Sequence, residues 1–508
     1  MLKQKSVRAL CVFALCMSLM ISAVCPVFAQ TESVGLVVQD DSWEMTVPQI
    51  RVTTENGNGT TLEKEDGYQN AQIKITDTDG SVLESDCTIK VRGNTTALSW
   101  VTKKSFTFKF AKKKSVLGMA KGKKWALVAN TFDPTILRNI TAFELAKELG
   151  IPYTSDYKVT ELWVDGDFRG CYILFEPIQV GKERVDLDVE GNDGKKDFLI
   201  EYEAQRVESD VTYFTTNDLR FIASEPESPD EAQLSYIQST MDSIISTLKT
   251  GSREEIEAKI DVPSFAKYYL LNEYLKTYDF DMSSVYFYYK DGKLYAGPPW
   301  DYDLSAGNAG PDDTTSRARA TIRPTGSHAD TRNLYKYICH NLWFIEEVRA
   351  VYRDHYDFIS HIPTDGGFLD TQYAKYSDVF ARNFSIAGWY IGNRWINIMR
   401  KPDTSYAANL SFLKNWCAER NTWMTTRYDP LAPCYLVGDT DGNGEVTIND
   451  VTAIQRILAD FETDEDAAKR GGVDGIALNI NDASCIQRYL ANIETPYPIG
   501  EKRFVKPL

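Results

Sequence analysis

Asp439, Asp441, Asn443 and Asp450 stand at positions 1, 3, 5 and 12 of one short stretch, with Gly444 at position 6 and Glu445 at position 7. A hard divalent cation of calcium's size takes six to eight oxygens. This spacing is that of a calcium loop in which Gly444 permits the sharp turn and Glu445 offers its backbone carbonyl. The last ligand is an aspartate where EF-hand loops carry a glutamate. At an offset of 32 residues Ile448-Asn449-Asp450 returns as Ile480-Asn481-Asp482, and Ile454-Gln455-Arg456 as Ile486-Gln487-Arg488, which marks an internal duplication. The second copy is degenerate. Asp474, Asn479 and Asp482 remain as candidate calcium ligands, Lys469 and Arg470 stand where earlier ligands are expected, and one extra residue is expected around Ala477.

A second group of carboxylates lies near the middle of the chain. Residues 265–276 read as a helix burying Tyr268, Leu271, Tyr274 and Leu275, and that helix delivers Asp279. A hairpin around Asp291-Gly292 follows, and the chain then runs into Trp300-Asp301-Tyr302-Asp303. The hairpin returns Asp301 to the end of the sheet where Asp279 sits, although the two are 22 residues apart in sequence. Carboxylates so gathered suit metal-assisted phosphoryl transfer, with one accepting a hydroxyl proton and others holding the ion. Paired carboxylates also serve glycoside hydrolysis, and sequence does not supply the separation that chemistry needs.

The elements that must position these groups are mixed. Residues 72–75, 88–91, 105–110 and 125–129 alternate or run apolar as strands, with Phe106, Phe108 and Phe110 on one face and Lys109 on the other. Residues 134–149 read as a helix, 159–164 and 170–176 as a hairpin, 197–202 as a strand and 230–248 as a helix. The fold class is therefore α+β, followed by a small all-α repeat. The aromatic stretch from 385 to 428, including Trp389, Tyr390, Trp395, Trp416 and Trp423, reads as core rather than as a sugar platform.

The chain has 508 residues and a net charge of −16, so nucleic acid and anionic lipid are disfavoured partners. Lys3, Lys5 and Arg8 precede an apolar stretch and a small-residue cleavage point before Gln30, the pattern of an export signal over residues 1–29. No later segment is apolar for long enough to span a bilayer, so an extracellular chain with no integral membrane association is expected. Six cysteines beyond the signal are too sparse for a disulfide scaffold, and none forms a close metal-ligand pair.

Two resemblances follow from ordered motifs. Arg92-Gly93-Asn94, Lys103-Lys104, Lys109, Leu137-Arg138-Asn139, residues 170–176, Arg184, Asp279 and Trp300-Asp301-Tyr302-Asp303 resemble, over residues 66–428, the CotH family of secreted and spore-coat kinases. The family implies an atypical protein-kinase-like fold that uses ATP with magnesium or manganese to phosphorylate protein serine or threonine. By resemblance Asp279 is the catalytic base, with Asp301 and Asp303 as metal ligands. Ser284 stands where family members often carry an asparagine ligand. Lys109 or Lys104 would pair the nucleotide phosphates, Arg92 and Arg138 would clamp them, and Glu176 and Glu201 would orient the lysine or hold metal. The duplicated loop-helix units, over residues 436–498, resemble a dockerin, which implies calcium and docking to the cohesin domain of a scaffoldin in a cellulosome. Residues 30–65 read as a β-type lead-in, 429–435 as a linker and 499–508 as a tail. Two alternatives stay open: a catalytically inactive CotH-fold adaptor, which Ser284 favours, and a polysaccharide-degrading or carbohydrate-binding cellulosome component.

Overall fold

Alternating apolar residues build the first layer of the protein. The computed structural model describes residues 43–189, 196–204, 211–309, 323–385, 387, 389, 399–461, 465–475 and 477–504. The expected export signal, the start of the expected lead-in, and Tyr390 and Trp395 lie outside them. Strands β1 (Gln49–Thr54), β2 (Gln69–Thr76), β3 (Val82–Arg92), β4 (Ser105–Lys114) and β5 (Gly122–Val128) precede helix α1 (Leu137–Glu148). The hairpin β6 (Tyr157–Val164) and β7 (Asp167–Phe175) then completes a closed barrel in the order β1-β2-β3-β4-β5-β7-β6. Ile73, Ile89, Val91, Phe106, Phe108, Trp125 and Leu174 fill its interior, as the period of two requires.

The barrel begins earlier than residue 66. β1 closes it by pairing antiparallel with β2 and parallel with β6, and contributes Ile50 and Val52 to the core. Asp165 of the β6–β7 turn accepts from the backbone nitrogens of Thr54 (2.7 Å) and Gly59 (2.6 Å). A Cβ on Gly59 would lie 2.5 Å from Val164 Cγ1, so only glycine allows this approach. The polar Thr, Asn and Gly run hides the strand in the sequence, because only two inward apolar positions precede it.

A second, antiparallel sheet has the order β12-β11-β8-β10-β9, formed by β8 (Phe198–Tyr202), β9 (Tyr213–Thr216), β10 (Leu219–Glu225), β11 (Val285–Lys290) and β12 (Lys293–Ala296). Between its strands lie α2 (Glu231–Thr250), α3 (Arg253–Glu257) and α4 (Val262–Leu275). Helix α4 is buried on nearly every side and anchors the main core, where α5 (Tyr335–Ile338), α6 (Leu342–Asp354), α7 (Tyr356–His361), α8 (Phe368–Ser385) and α9 (Tyr406–Tyr428) also pack. Trp416 lies in that core, with Trp423 packed against it, as read from the sequence. Among the described residues no helix is long and apolar enough to cross a membrane.

The C-terminal repeat comprises α10 (Ile448–Leu458), α11 (Glu465–Gly471) and α12 (Ile480–Leu490), with Val451, Ile454, Ala483 and Ile486 in a small core of their own. Linker and tail are not loose ends. Strand β13 (Cys434–Leu436) pairs antiparallel with β14 (Lys502–Phe504), and Ile499 joins the repeat's core. Phe504 is buried under the Arg349 guanidinium of α6, 3.7 Å from the ring centroid. Residues 499–504 of the tail therefore strap the repeat to the larger domain.

Arg253 holds this seam by bonding Glu257 (2.6 Å), Glu347 (3.0 Å) and Glu501 (2.8 Å). One cation cannot neutralise three carboxylates. Burial, then Glu501, push Glu347 up to about 7 against the pull of Arg253. Folding thus favours the protonated form, so this contribution is fully present below the ordinary glutamate value and lost as pH rises through about 7. Glu347→Gln is expected to remove part of the fall in Tm between pH 5 and pH 8. Parallel wild-type and variant Tm curves over that range would refute it.

Candidate active site

Helix α4 ends at Lys276, whose left-handed backbone (φ +48°) stops the helix, and a short 3-10 turn, Tyr278–Asp281, then presents Asp279. The hairpin β11–β12 carries the chain to Asp301 and Asp303. All three carboxylates line one cleft of about 340 Å³ between the barrel and the second sheet, together with Arg92, Glu201, Ser284 and Trp300. Burial pushes the Asp303 carboxyl well above its ordinary range, reinforced by Asp301, then Asp279 and Asp133. Negative charge is therefore crowded here.

The segment 301–303 is fixed from behind. Asn139 Oδ1 accepts from the Tyr302 backbone nitrogen (2.9 Å), and Asn308 donates to the Asp303 carbonyl (2.7 Å). Asp301 has φ +66°, Ser284 φ +59° and Asn130 φ +48°, so three cleft residues occupy the left-handed region that L-residues seldom adopt. Arg92 lies 5.0 Å from the Trp300 ring centroid and is attracted by Asp301, yet among the described residues its buried Nη1 has no hydrogen-bond partner. An orphaned guanidinium nitrogen on a cleft wall suits an anionic oxygen, and crowded carboxylates suit a divalent cation.

The CotH kinase protein family matches residues 89–424. The chain belongs to the CotH family. Among curated proteins, none matches it.

On this CotH fold the expected site residues separate into two groups. Asp279, Asp301, Asp303, Ser284, Arg92 and Glu201 share the cleft. Glu201 Oε1 accepts from the Ser284 backbone nitrogen (3.1 Å) and Oε2 from the Tyr286 hydroxyl (2.8 Å), so it braces the turn that carries Ser284. Lys109 lines an adjoining pocket instead, which shares Glu201 and Glu203 with the cleft.

Lys104, Arg138 and Glu176 are elsewhere. Lys104 is buried on Glu63 Oε2 (2.8 Å) and the carbonyls of Ala97 (3.1 Å) and Leu98 (2.7 Å), which consumes its three donors. Arg138 is buried on Asp133 (2.6 Å) and donates to the carbonyls of Ser305 (2.9 Å) and Ala306 (3.2 Å), clamping the loop beyond Asp303 rather than a phosphate. Glu176 is buried beside Arg184, away from the cleft, with its carboxyl held above its ordinary value chiefly by desolvation. Glu203 and Asn130 also line the cleft and had not been expected there. Glu203 was legible, since Glu201-Tyr202-Glu203 places both acids on one strand face. Nothing local marks Asn130, whose exceptional feature is its backbone.

In the repeat, the carboxylates of Asp439, Asp441 and Asp450 gather with one oxygen of each within 4.8 Å of the others. Gly442 and Gly444 take φ +74° and +91°, which lets the Asn443 and Gly444 amides point at Asp439 (3.0 and 2.9 Å). Asp450 accepts from the Asp441 and Thr447 amides (3.0 and 2.6 Å), and Asp482 repeats this with Val473 and Asn479 (3.0 and 2.8 Å). The offset of 32 therefore holds through the second loop, and no extra residue is needed at Ala477. Gly471, Val473 and Gly475 then fill positions 1, 3 and 5, and Asp474 falls at position 4. Asn479 caps α12 with its side chain. Arg470 reaches across to the carbonyls of Asp439 (3.1 Å) and Thr440 (3.0 Å) in the first loop. Among the described residues, Asp474 and Asp482 belong to no group of three carboxylates that could hold an ion.

Proposed function

We propose that this CotH protein is an exported protein kinase that transfers the γ-phosphate of ATP to serine or threonine of a protein, and that its C-terminal repeat is a calcium-binding dockerin. The observation that carries the kinase reading is the convergence of Asp279, Asp301 and Asp303 in one cleft beside the orphaned Arg92 Nη1. In this reading Asp301 and Asp303 hold the divalent cation, and Arg92 meets a phosphate oxygen. Bound magnesium or manganese supplies charge neutralisation at the phosphates. Asp279 orients the acceptor hydroxyl and takes its proton as the new oxygen–phosphorus bond forms and the bond to the nucleotide's leaving oxygen breaks. Glu201 keeps the Ser284 turn in place, while Asn139 and Arg138 keep the 301–306 loop from relaxing away from the cleft.

The dockerin reading is supported by the carboxylate cluster of the first loop and by a duplicated apolar surface. Ile448, Leu458 and Phe461 are exposed, and so are their counterparts at the same offset, Ile480, Leu490 and Ile493. Unpaired apolar side chains that recur in both halves suit a protein partner, here a cohesin. The adaptor alternative rests on Ser284, whose hydroxyl is a poorer magnesium ligand than a carboxamide oxygen.

The test is transfer of labelled γ-phosphate from ATP to a serine-containing acceptor by the full chain, with magnesium, with manganese and with chelator. Metal-dependent labelling is expected. Absence of labelling with either metal, together with absence of nucleotide binding by calorimetry, would replace the kinase by the adaptor.

A further inference from the structure

We infer that the pocket formed by Lys90, Lys109, Lys124 and Tyr68 is an anion-recognition subsite, selecting acceptor segments that carry a carboxylate or phosphoryl group near the hydroxyl to be modified. The inference rests on the kinase reading for what that segment is, and on the following geometry for the subsite itself.

Register puts the lysines on one face of the barrel wall. Lys109 of β4 lies opposite Thr88 of β3 on one side and opposite Lys124 of β5 on the other. Lys90, two residues after Thr88, points the same way, as does Arg92 two residues further on. The opposite face of these strands is the apolar barrel interior, with Ile89, Phe108 and Trp125 fully buried. Like charges directly across a strand pair are destabilising, and in the Lys109–Lys124 pairing Glu227 offsets the charge of Lys124 alone. Only one of the three has an acidic partner among the described residues: Lys124 meets Glu227 at 3.0 Å. Lys90 and Lys109 lie instead over a single ring, 4.8 and 6.0 Å from the centroid of Tyr68. The ring restrains the two ammonium groups without neutralising them.

The space these residues face is a pocket of about 530 Å³. Its opposite wall includes Glu201 and Glu203, which also line the catalytic cleft. The pocket therefore opens beside the cleft, and Lys90 lies about 7 Å along β3 from Arg92 at the usual rise of a strand. An extended acceptor lying over the Asp279 turn would bring a side chain a few residues from its hydroxyl into this space. The acids of the far wall set the register, because a cationic side chain there would meet the lysines and an anionic one nearer the cleft would meet Glu201 and Glu203.

The test uses the full chain with ATP and manganese, and serine peptides flanked by glutamate, alanine or lysine. The wild type is expected to show at least a tenfold lower KM for the glutamate peptide, a preference that weakens in high salt. Lys90→Glu is expected to erase or reverse the preference while leaving the KM for ATP and turnover of the alanine peptide unchanged, and Lys90→Arg is expected to restore it. Equal KM values for the three peptides with wild type would overturn the inference. So would a Lys90→Glu variant that raises the KM for ATP, which would give the lysines to the nucleotide. Fluorescence anisotropy of the same peptides separates this inference from the kinase reading. Lys90-dependent binding of the glutamate peptide without any transfer defeats the kinase and keeps the subsite, whereas transfer without such binding does the reverse.

Discussion

Asp279→Ala is expected to slow phosphoryl transfer by about 10²–10⁴-fold, the range that a positioned general base contributes. It should leave metal-dependent ATP binding as it was. Asp301→Asn is expected to do the opposite first, removing metal-dependent ATP affinity and losing transfer as a consequence. The difference follows from where the two carboxylates sit. Asp279 projects from the 3-10 turn after α4, whereas Asp301 follows the hairpin, within the electrostatic reach of both Arg92 and Asp303. Asparagine is the right replacement at 301, because the backbone there has φ +66° and asparagine tolerates the left-handed region better than alanine does. Single-turnover transfer and calorimetric Kd values for ATP with manganese separate the two effects, and circular dichroism melting checks the fold. Wild-type transfer by Asp279→Ala would remove that residue from the mechanism. A Kd for ATP unchanged in Asp301→Asn would remove the metal role.

What the sequence made legible follows from local rules, and what it concealed follows from tertiary ones. Phe106, Phe108 and Phe110 alternate, and the structure buries all three inside the barrel. The helix–hairpin–aspartate order around Asp279 and Asp301 also brought the two carboxylates to one cleft, since a hairpin must return near its start. By contrast, the fate of a long cation depends on what lies beyond its strand. Lys104 and Lys109 are neighbours in type and position, yet one is buried on three oxygens and the other is exposed over a pocket. Arg138 was read as a clamp, and it is one, but its targets are the backbone carbonyls of Ser305 and Ala306, some 167 residues away. Strands β9 and β10 escaped notice because their apolar runs are short, and the β13–β14 ribbon because its two halves are separated by the whole repeat. The family match accounts for the large domain and says nothing about the repeat, whose reading rests on the loop residues alone.

Calcium titration of the wild-type chain is expected to give one bound ion, not two, and Asp439→Ala combined with Asp441→Ala is expected to abolish both calcium and cohesin binding. The first number follows from the second loop. Gly471, Val473 and Gly475 offer no side-chain oxygen at the positions where Asp439, Asp441 and Asn443 offer three. Arg470 spans the two halves instead, donating to carbonyls of the first loop, so an ion bound there can order the second half without a second ion. Calcium at a hundred times its Kd would stabilise the folded repeat by about 2.7 kcal/mol. That increment should vanish in the double variant. Kinase activity should persist in it, because the strap that joins the repeat to the larger domain is made by Phe504, Glu501 and Lys502, none of which lies in the calcium loop. Calorimetry with calcium, and cohesin capture with and without chelator, read these outcomes. Two ions of similar affinity would restore the second loop as a site. Cohesin affinity that is unchanged in the double variant would remove the dockerin reading while leaving the kinase untouched.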